Sequence, residues 1–305
     1  MIEKFNFYDI YGYFLPGAVL LAVLWGPYAL VRGSWPSSSW GSAIIAIILA
    51  YVTGHLIQSI ATFALPASSL RTDSGQARNF SEIYLDPKDD PKDAVLPAPF
   101  REKIQALINA QFELNLETDR KGDDVIDKLR NNAFLAARQM LIQGKAVSYA
   151  EQFQGMYALM RGLSSSFAIG FAYCLGWAIA VFKCQYSVQA AVVAAAASVL
   201  ALVNLSLISP KISKPGMKRS LERWYAASLL LLFLAAGYLL GFRYSVNPRS
   251  SMILISVSLL SLIASLRSFG AYRFFAGQFA ATVWRDYLAY NVSLALSQKP
   301  GSERK

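Results

Sequence analysis

Six stretches of the chain contain no charged residue and are each 17 to 25 residues long. They are residues 14–31, 41–65, 163–182, 188–208, 224–242 and 250–266. A helix needs about 20 apolar residues to cross the hydrocarbon core of a bilayer. Strands of a membrane barrel are about half as long and alternate in polarity. The pattern therefore predicts an all-α, polytopic membrane protein with about six transmembrane helices.

The composition and the placement of charge extend this interpretation. Hydrophobic residues make up 55% of the 305 residues and charged residues 16%, whereas soluble domains have roughly 45–50% and 25%. Basic residues gather in alternate loops, and such loops face the cytoplasm. We therefore expect a multi-pass membrane protein with both termini in the cytoplasm. The densest basic group lies between the fourth and fifth predicted spans, at Lys211, Lys214, Lys218, Arg219 and Arg223.

The net charge of +10 is concentrated outside the longest polar segment. Residues 66–162 contain 13 basic and 14 acidic residues, so the rest of the chain carries a net charge of +11. Basic residues beside a span bind the headgroups of anionic lipids. The charge thus predicts contact with membrane lipids, and it needs no nucleic-acid partner to explain it.

The spans divide the chain into four parts. Residues 1–65 hold the first two spans, and residues 66–162 form a small cytoplasmic helical insertion. Residues 163–266 hold the third to sixth spans, and residues 267–305 form an amphipathic C-terminal helix and tail. In that last part aromatic residues recur at helical spacing beside arginines. This is typical of a helix on the membrane surface, or of one that continues the sixth span and docks on the cytoplasmic helices.

The cytoplasmic insertion begins with a turn-rich linker at residues 66–99, where proline and aspartate oppose regular structure. Apolar residues spaced by three and four then predict helices at 100–116 and 123–143. A third helix is expected from Ser148, which opens a capping box and leads towards the third span. The three helices form either a small bundle or one side of an oligomer interface. We expect this insertion to bind a cytoplasmic protein partner.

One polar stripe lies inside the second predicted span. His55 is the only histidine, and Gln58, Ser59 and Thr62 follow it at helical spacing. Polar side chains within a membrane helix face protein or water rather than lipid. The stripe therefore serves either the passage of protons or ions, or interhelical hydrogen bonds that hold the bundle together.

Small residues predict close helix packing in later spans. Gly237 and Gly241 form a G-x-x-x-G motif in the fifth span. Ser258, Ser261 and Ser265 form a stripe in the sixth span. Such a stripe either packs against a neighbouring helix or lines an aqueous pore. The chain is also expected to form a homo-oligomer.

Motifs of catalysis are missing from the sequence. It contains no G-x-S-x-G, H-E-x-x-H, P-loop or C-x-x-C motif, and only three His and Cys residues in total. We therefore predict no catalytic residue, no bound metal and no cofactor.

Two short segments carry a resemblance to known proteins. The N-terminal segment reads Phe-Tyr-Asp-Ile-Tyr-Gly-Tyr-Phe-Leu-Pro-Gly over residues 7–17, and residues 54–58 read Gly-His-Leu-Ile-Gln. Both are similar to a loose group of uncharacterised bacterial polytopic inner-membrane proteins. Some members of that group lie among phage-defence genes, so the resemblance implies an effector that acts on the membrane.

The leading functional hypothesis is therefore a non-enzymatic membrane protein. Its cytoplasmic helices would sense or bind a partner, and its helix bundle would respond as a membrane-permeabilising effector or channel. One alternative is a passive membrane scaffold or assembly factor. Another is a lipid-directed membrane enzyme that uses His55 or the aspartates of residues 119–127.

Overall fold

The structure is a computed structural model that describes residues 9–34, 39–65, 70–71, 77–78, 96–114, 123–144, 149–182, 215–244 and 248–297. A π-helix, Asp9–Phe14, leads into α1. The α-helices of the described residues are α1 (Leu15–Arg32), α2 (Trp40–Ala64), α3 (Ala98–Phe112), α4 (Asp123–Gln143), α5 (Ala150–Phe182), α6 (Pro215–Tyr244) and α7 (Pro248–Ser297). Two strands, β1 (Leu70–Arg71) and β2 (Ala77–Arg78), form a two-residue antiparallel pair.

Five of these helices are long and apolar enough to cross a membrane, namely α1 with its π-helical start, α2, α5, α6 and α7. The chain thus has the helical, multi-pass character that the sequence predicted. The predicted fourth span, residues 188–208, lies outside the described residues. The predicted count of six spans and the cytoplasmic side of the insertion stay predictions.

Local sequence explains where the first two helices begin and end. Pro16 lies in the first turn of α1, where the fixed φ of proline suits the start of an α-helix. Gly33 follows α1 with a φ of 64°, a left-handed conformation that glycine adopts without strain. Ser39 caps α2, because its hydroxyl accepts a hydrogen bond from the backbone N–H of Ser42 at 3.3 Å.

The chain divides into two compact units. The first consists of residues 1–66 and 155–272, and the second of residues 67–154 and 273–305. Both α5 and α7 are continuous helices that contribute residues to each unit. These boundaries differ from the predicted ones at 66–162 and 267–305. The C-terminal part of the chain shares a unit with the insertion because its aromatic face packs in the same core.

Backbone-to-backbone contact defines the packing of α1 against α2 in the first unit. A Cβ atom added to Gly17 would overlap the carbonyl oxygen of Ala50, and one added to Gly54 would overlap that of Tyr13. Only glycine fits where two helix backbones approach this closely. The pair therefore behaves as a tight helical hairpin whose spacing is set by Gly17 and Gly54.

A second contact of the same kind joins α5 to α6. Gly176 of α5 lies against the carbonyl of Leu234, and Gly237 of α6 lies against the carbonyl of Tyr173. One turn later Gly241 lies against Ala180 and Trp177. The G-x-x-x-G motif thus occupies the face of α6 that meets α5.

Hydroxyl groups mark the contact between α5 and α7 in the first unit. Ser164 donates a hydrogen bond to the carbonyl of Ser265 at 3.0 Å, and Ser265 donates one to the carbonyl of Ser164 at 2.8 Å. Ser258 donates to the carbonyl of Phe171 at 3.1 Å. The serine stripe of the sixth predicted span is therefore packed against a neighbouring helix, where it forms a closed seam.

The second unit has an aromatic and aliphatic core of its own. Phe134 of α4 meets the rings of Trp284 and Phe279 of α7 edge to face, with centroids 5.4 and 5.8 Å apart. Ile104 and Ile108 of α3 are fully buried in the same cluster. The helical periodicity that predicted 123–143 corresponds to α4 residue for residue. Phe279, Trp284 and Tyr287, which follow the last predicted span, thus belong to a protein core.

We expect Gly54→Ala to destabilise the first unit. The added methyl group would force α1 and α2 apart, which costs about 1–3 kcal/mol as for other overpacked cores. Cys174 is a free thiol with 0% of its surface exposed. Its labelling by a thiol-reactive fluorophore during heating in detergent, in a Cys184→Ser background, reports the unfolding temperature.

The matched control is Gly270→Ala in α7, where a Cβ atom would meet nothing within 4 Å. Alanine there gains up to about 1 kcal/mol of helix propensity, so this variant should unfold at the same or a higher temperature. An equal loss of stability in both variants would contradict the close packing of α1 on α2.

Candidate functional site

The site begins with a backbone carbonyl whose usual α-helical donor is missing. In an α-helix the carbonyl of Gly12 would accept from the N–H of residue 16, but residue 16 is proline and has no N–H. Here the chain is π-helical up to Phe14. This geometry is rare in proteins as a whole, but where it occurs it is often found at functional sites. Gly12 is buried, and a buried carbonyl is satisfied by a hydrogen bond.

Gln58 of α2 supplies that hydrogen bond. Its Nε2 donates to the carbonyl of Gly12 at 2.6 Å and to the carbonyl of Ala158 in α5 at 2.7 Å. The side chain is only 4% exposed. One amide group thus joins the start of α1, the middle of α2 and α5. We call this group of Gly12, Gln58, Ala158 and Arg161 the polar node.

Arg161 completes the polar node. Its Nε and Nη2 donate to Oε1 of Gln58 at 3.1 and 2.9 Å. A primary amide has two donor hydrogens and two acceptor lone pairs, and all four are used. The orientation of the amide follows from this pattern, because a flipped group would set N–H against the guanidinium and oxygen against two carbonyls.

Gly162 makes room for the polar node. A Cβ atom there would lie 2.7 Å from Cγ of Pro16 and 2.8 Å from Nε2 of Gln58. One turn later in α5, Ser166 donates to the carbonyl of Pro16 at 3.0 Å. The start of α1 is therefore held at two carbonyls one turn apart, that of Gly12 by Gln58 of α2 and that of Pro16 by Ser166 of α5.

The predicted polar stripe of α2 divides into two faces. Gln58 points inward, whereas His55, Ser59 and Thr62 are exposed. The hydroxyl of Ser59 donates to the carbonyl of His55 at 3.0 Å and that of Thr62 to the carbonyl of Gln58 at 2.8 Å. Both hydroxyls thus use carbonyls of their own helix. Of the four residues of this stripe, Gln58 is the one whose side chain forms hydrogen bonds to other helices.

His55 lies in an aromatic group. Its ring stacks on Tyr13, with centroids 3.8 Å apart and planes inclined by 17°. Tyr51 meets it edge to face with a centroid distance of 4.7 Å. These contacts hold the imidazole against α2 while one side of it stays accessible.

Residues 12–13 of the N-terminal segment and residues 54–58 of α2 lie together. Gly12 and Tyr13 of the first segment contact Gln58, Gly54 and His55 of the second. This juxtaposition gives a physical reason for the two short patterns to occur in one chain, since each supplies half of the same contact.

Other predicted site residues are placed only in part. Lys211 and Lys214 lie outside the described residues. Lys218, Arg219 and Arg223 fall in the first turns of α6, and their side chains are not described. Of the aspartates of residues 119–127, Asp119 lies outside the described residues, and Asp123, Asp124 and Asp127 fall in the first turns of α4 with side chains that are not described. Across the described ranges, no group of three His, Cys, Asp or Glu side chains could hold a metal ion.

The second unit contains a polar cluster that the sequence did not reveal. The hydroxyl of Tyr287 donates to Oε1 of Gln111, and Nε2 of Gln111 donates to Oδ1 of Asn291 at 2.6 Å. Asn291 in turn donates to the carbonyl of Tyr287 at 2.9 Å. The cluster ties the end of α3 to the C-terminal half of α7. The only signal in the sequence is the spacing of Tyr287 and Asn291 by four.

No family model, no curated protein and no solved structure matches the chain.

We expect Gln58→Leu to lower the unfolding temperature of the first unit. Leucine fills a similar volume but leaves two buried carbonyls and the Arg161 guanidinium without this partner. An unsatisfied buried group costs about 1–3 kcal/mol, and a charged one costs more. The labelling rate of Cys174 on heating again gives the measurement.

Ser59→Ala is the control, because the adjacent hydroxyl binds only its own helix. It should leave the unfolding temperature unchanged. Adding Arg161→Leu to Gln58→Leu should cost less than the sum of the single changes, since the two residues share one interaction. Strict additivity would show that Gln58 and Arg161 do not act together.

Proposed function

We propose that this chain is a non-enzymatic membrane protein of the bacterial inner membrane. Its second unit binds a cytoplasmic protein, and the helix bundle of its first unit responds by raising the ion permeability of the membrane. Both termini and residues 67–154 then lie in the cytoplasm, as the basic loops favour. The resemblance of residues 7–17 and 54–58 to defence-associated membrane proteins supports a role of this kind.

One observation supports the proposal most directly. The helix α7 continues without interruption from Pro248 to Ser297. Its first half carries Ser258 and Ser265, which pack on α5, and its second half carries Trp284 and Tyr287 in the core of the second unit. An intact helix is stiff along its axis. We therefore expect α7 to transmit a displacement caused by partner binding to the contact between Ser164 of α5 and Ser265 of α7.

The contacts between α5 and α7 indicate which hydrogen bonds would break if α7 moved. In this state the hydroxyls of Ser164 and Ser265 are satisfied by each other's backbone. Separating α5 from α7 would release them, and exposed hydroxyls in a bundle attract water. The polar node meanwhile holds α5 to α1 and α2 through hydrogen bonds to Gln58. We therefore assign movement to α7 and a fixed position to α5.

The face that would receive the partner is proposed on α4. Leu135 and Ile142 lie two turns apart and are 51% and 48% exposed. Arg138 between them reaches Gln154 at 2.5 Å and lies over the ring of Phe279. Two apolar side chains at a spacing of seven, beside a fixed cation, suit the amphipathic helix of another protein.

The proposal predicts that Arg273→Pro abolishes the response. Residue 273 is the first residue of α7 that belongs to the second unit, and its side chain is exposed. Proline inside a helix costs about 3 kcal/mol or more and kinks it. Cells that express the wild-type chain from a titratable promoter should depolarise with rising abundance, as read by a voltage-sensitive dye, whereas Arg273→Pro cells should not.

Arg273→Ala is the matched control, because it removes the same side chain and keeps the helix. It should depolarise cells as the wild type does at equal membrane abundance. If no chain depolarises cells while Cys174 stays protected from labelling, the bundle is folded and inactive. That result would reject a permeabilising function and favour a membrane scaffold or assembly factor.

A further inference from the structure

We infer that the exposed face of α2 is the surface on which a second copy of this chain binds. Six residues of this face, which we call the α2 seam, follow one another at spacings of three, four, three, four and three. They are Ile45, Ile48, Val52, His55, Ser59 and Thr62. All six are exposed in the single chain. The inference does not depend on the proposed function, because association would occur whatever the bundle does.

The spacing is that of a helix pair. Apolar residues at alternating intervals of three and four repeat every 3.5 residues on average, which keeps one line of side chains facing a partner helix along a left-handed crossing. Many residues of a membrane helix are apolar, so Ile45, Ile48 and Val52 alone would describe contact with lipid equally well. The evidence for a protein partner comes from the other half of the seam.

His55 lies well inside the helix. With a rise of about 1.5 Å per residue, it lies about 13 Å from the C-terminal end of α2, within a span of about 30 Å. An ionisable side chain at such a depth almost always faces protein or water. Yet His55 is exposed, with Tyr13 stacked on one face of its ring. The α2 seam therefore has a polar position that lipid does not satisfy.

A second copy of the chain would supply a hydrogen-bond partner for His55, because a symmetric pair brings the same residue of both copies together. Two copies of one chain cross the membrane in the same direction, so a parallel pair of α2 helices places His55 beside His55 and Val52 beside Val52. A neutral imidazole has one donor and one acceptor, so two of them can form a hydrogen bond with each other. A single polar layer in an otherwise apolar seam is also what fixes the register of paired helices.

Cysteine crosslinking tests the inference on the full-length chain in native membranes. In a background of Cys174→Ala and Cys184→Ser, single cysteines are introduced at Ile45, Ile48 and Val52 on the seam. Ile47 is the control, since it is 54% exposed against 59%, 57% and 51% for the seam positions. Residues 47 and 48 point about 100° apart on the helix.

Mild oxidation should give disulfide-linked dimers at the three seam positions and little or none at Ile47. Equal dimer yields at all four positions would indicate random collision and overturn the inference. So would the absence of dimers at every position with full labelling by a lipid-soluble maleimide, which would mean that lipid covers the face. Protection of the seam cysteines from that maleimide without dimers would show that another segment, such as residues 188–208, covers it.

Discussion

A backbone carbonyl that loses its helical donor inside a membrane has to find another one, and the first unit is organised around this requirement. Lipid offers no hydrogen bond, and an unsatisfied group in the bilayer costs several kcal/mol. Pro16 deprives the carbonyl of Gly12 of its donor, and Gln58 replaces it. Because the same amide also binds Ala158 and Arg161, a defect of one helix becomes the point at which three helices are held together.

This arrangement depends on close approach, and glycine provides it. Gln58 has a short side chain, so it reaches Gly12 only if α1 and α2 are nearly in contact. Gly17 and Gly54 allow that contact, and Gly162 allows α5 to come near the same point. Hydrogen bonds and backbone packing are therefore coupled here. Widening either helix contact would lengthen the bonds of the amide before it exposed any apolar surface.

The sequence predicted the helices well where one periodic pattern dominated. The spacing of apolar residues predicted α4 with its observed bounds. The uncharged runs marked most of α1, α2 and α6 but only the later part of α5 and the first third of α7. It did not predict the π-helix, because no residue pattern distinguishes a π-helical turn from an α-helical one. It also left open whether the aromatic C-terminal helix lay on the membrane or in a core. The aromatic spacing is the same in both cases, and only the partner helices α3 and α4 decide it.

At the candidate site too, the sequence pattern could not show which side of the helix faces the protein. Gln58 and Ser59 are neighbours in the sequence, and both are polar residues in an apolar helix. A rotation of about 100° separates them, so one is saturated by α1 and α5 while the other is exposed. The sequence could mark α2 as the polar span, but the inward direction was set by which face carries Gly54, since the bundle packs on that side. The glycine thus assigns Gln58 to the interior of the protomer. His55 flanks the contact with α1, where Tyr13 covers one face of its ring, and its exposed side is left for whatever α2 meets outside the protomer.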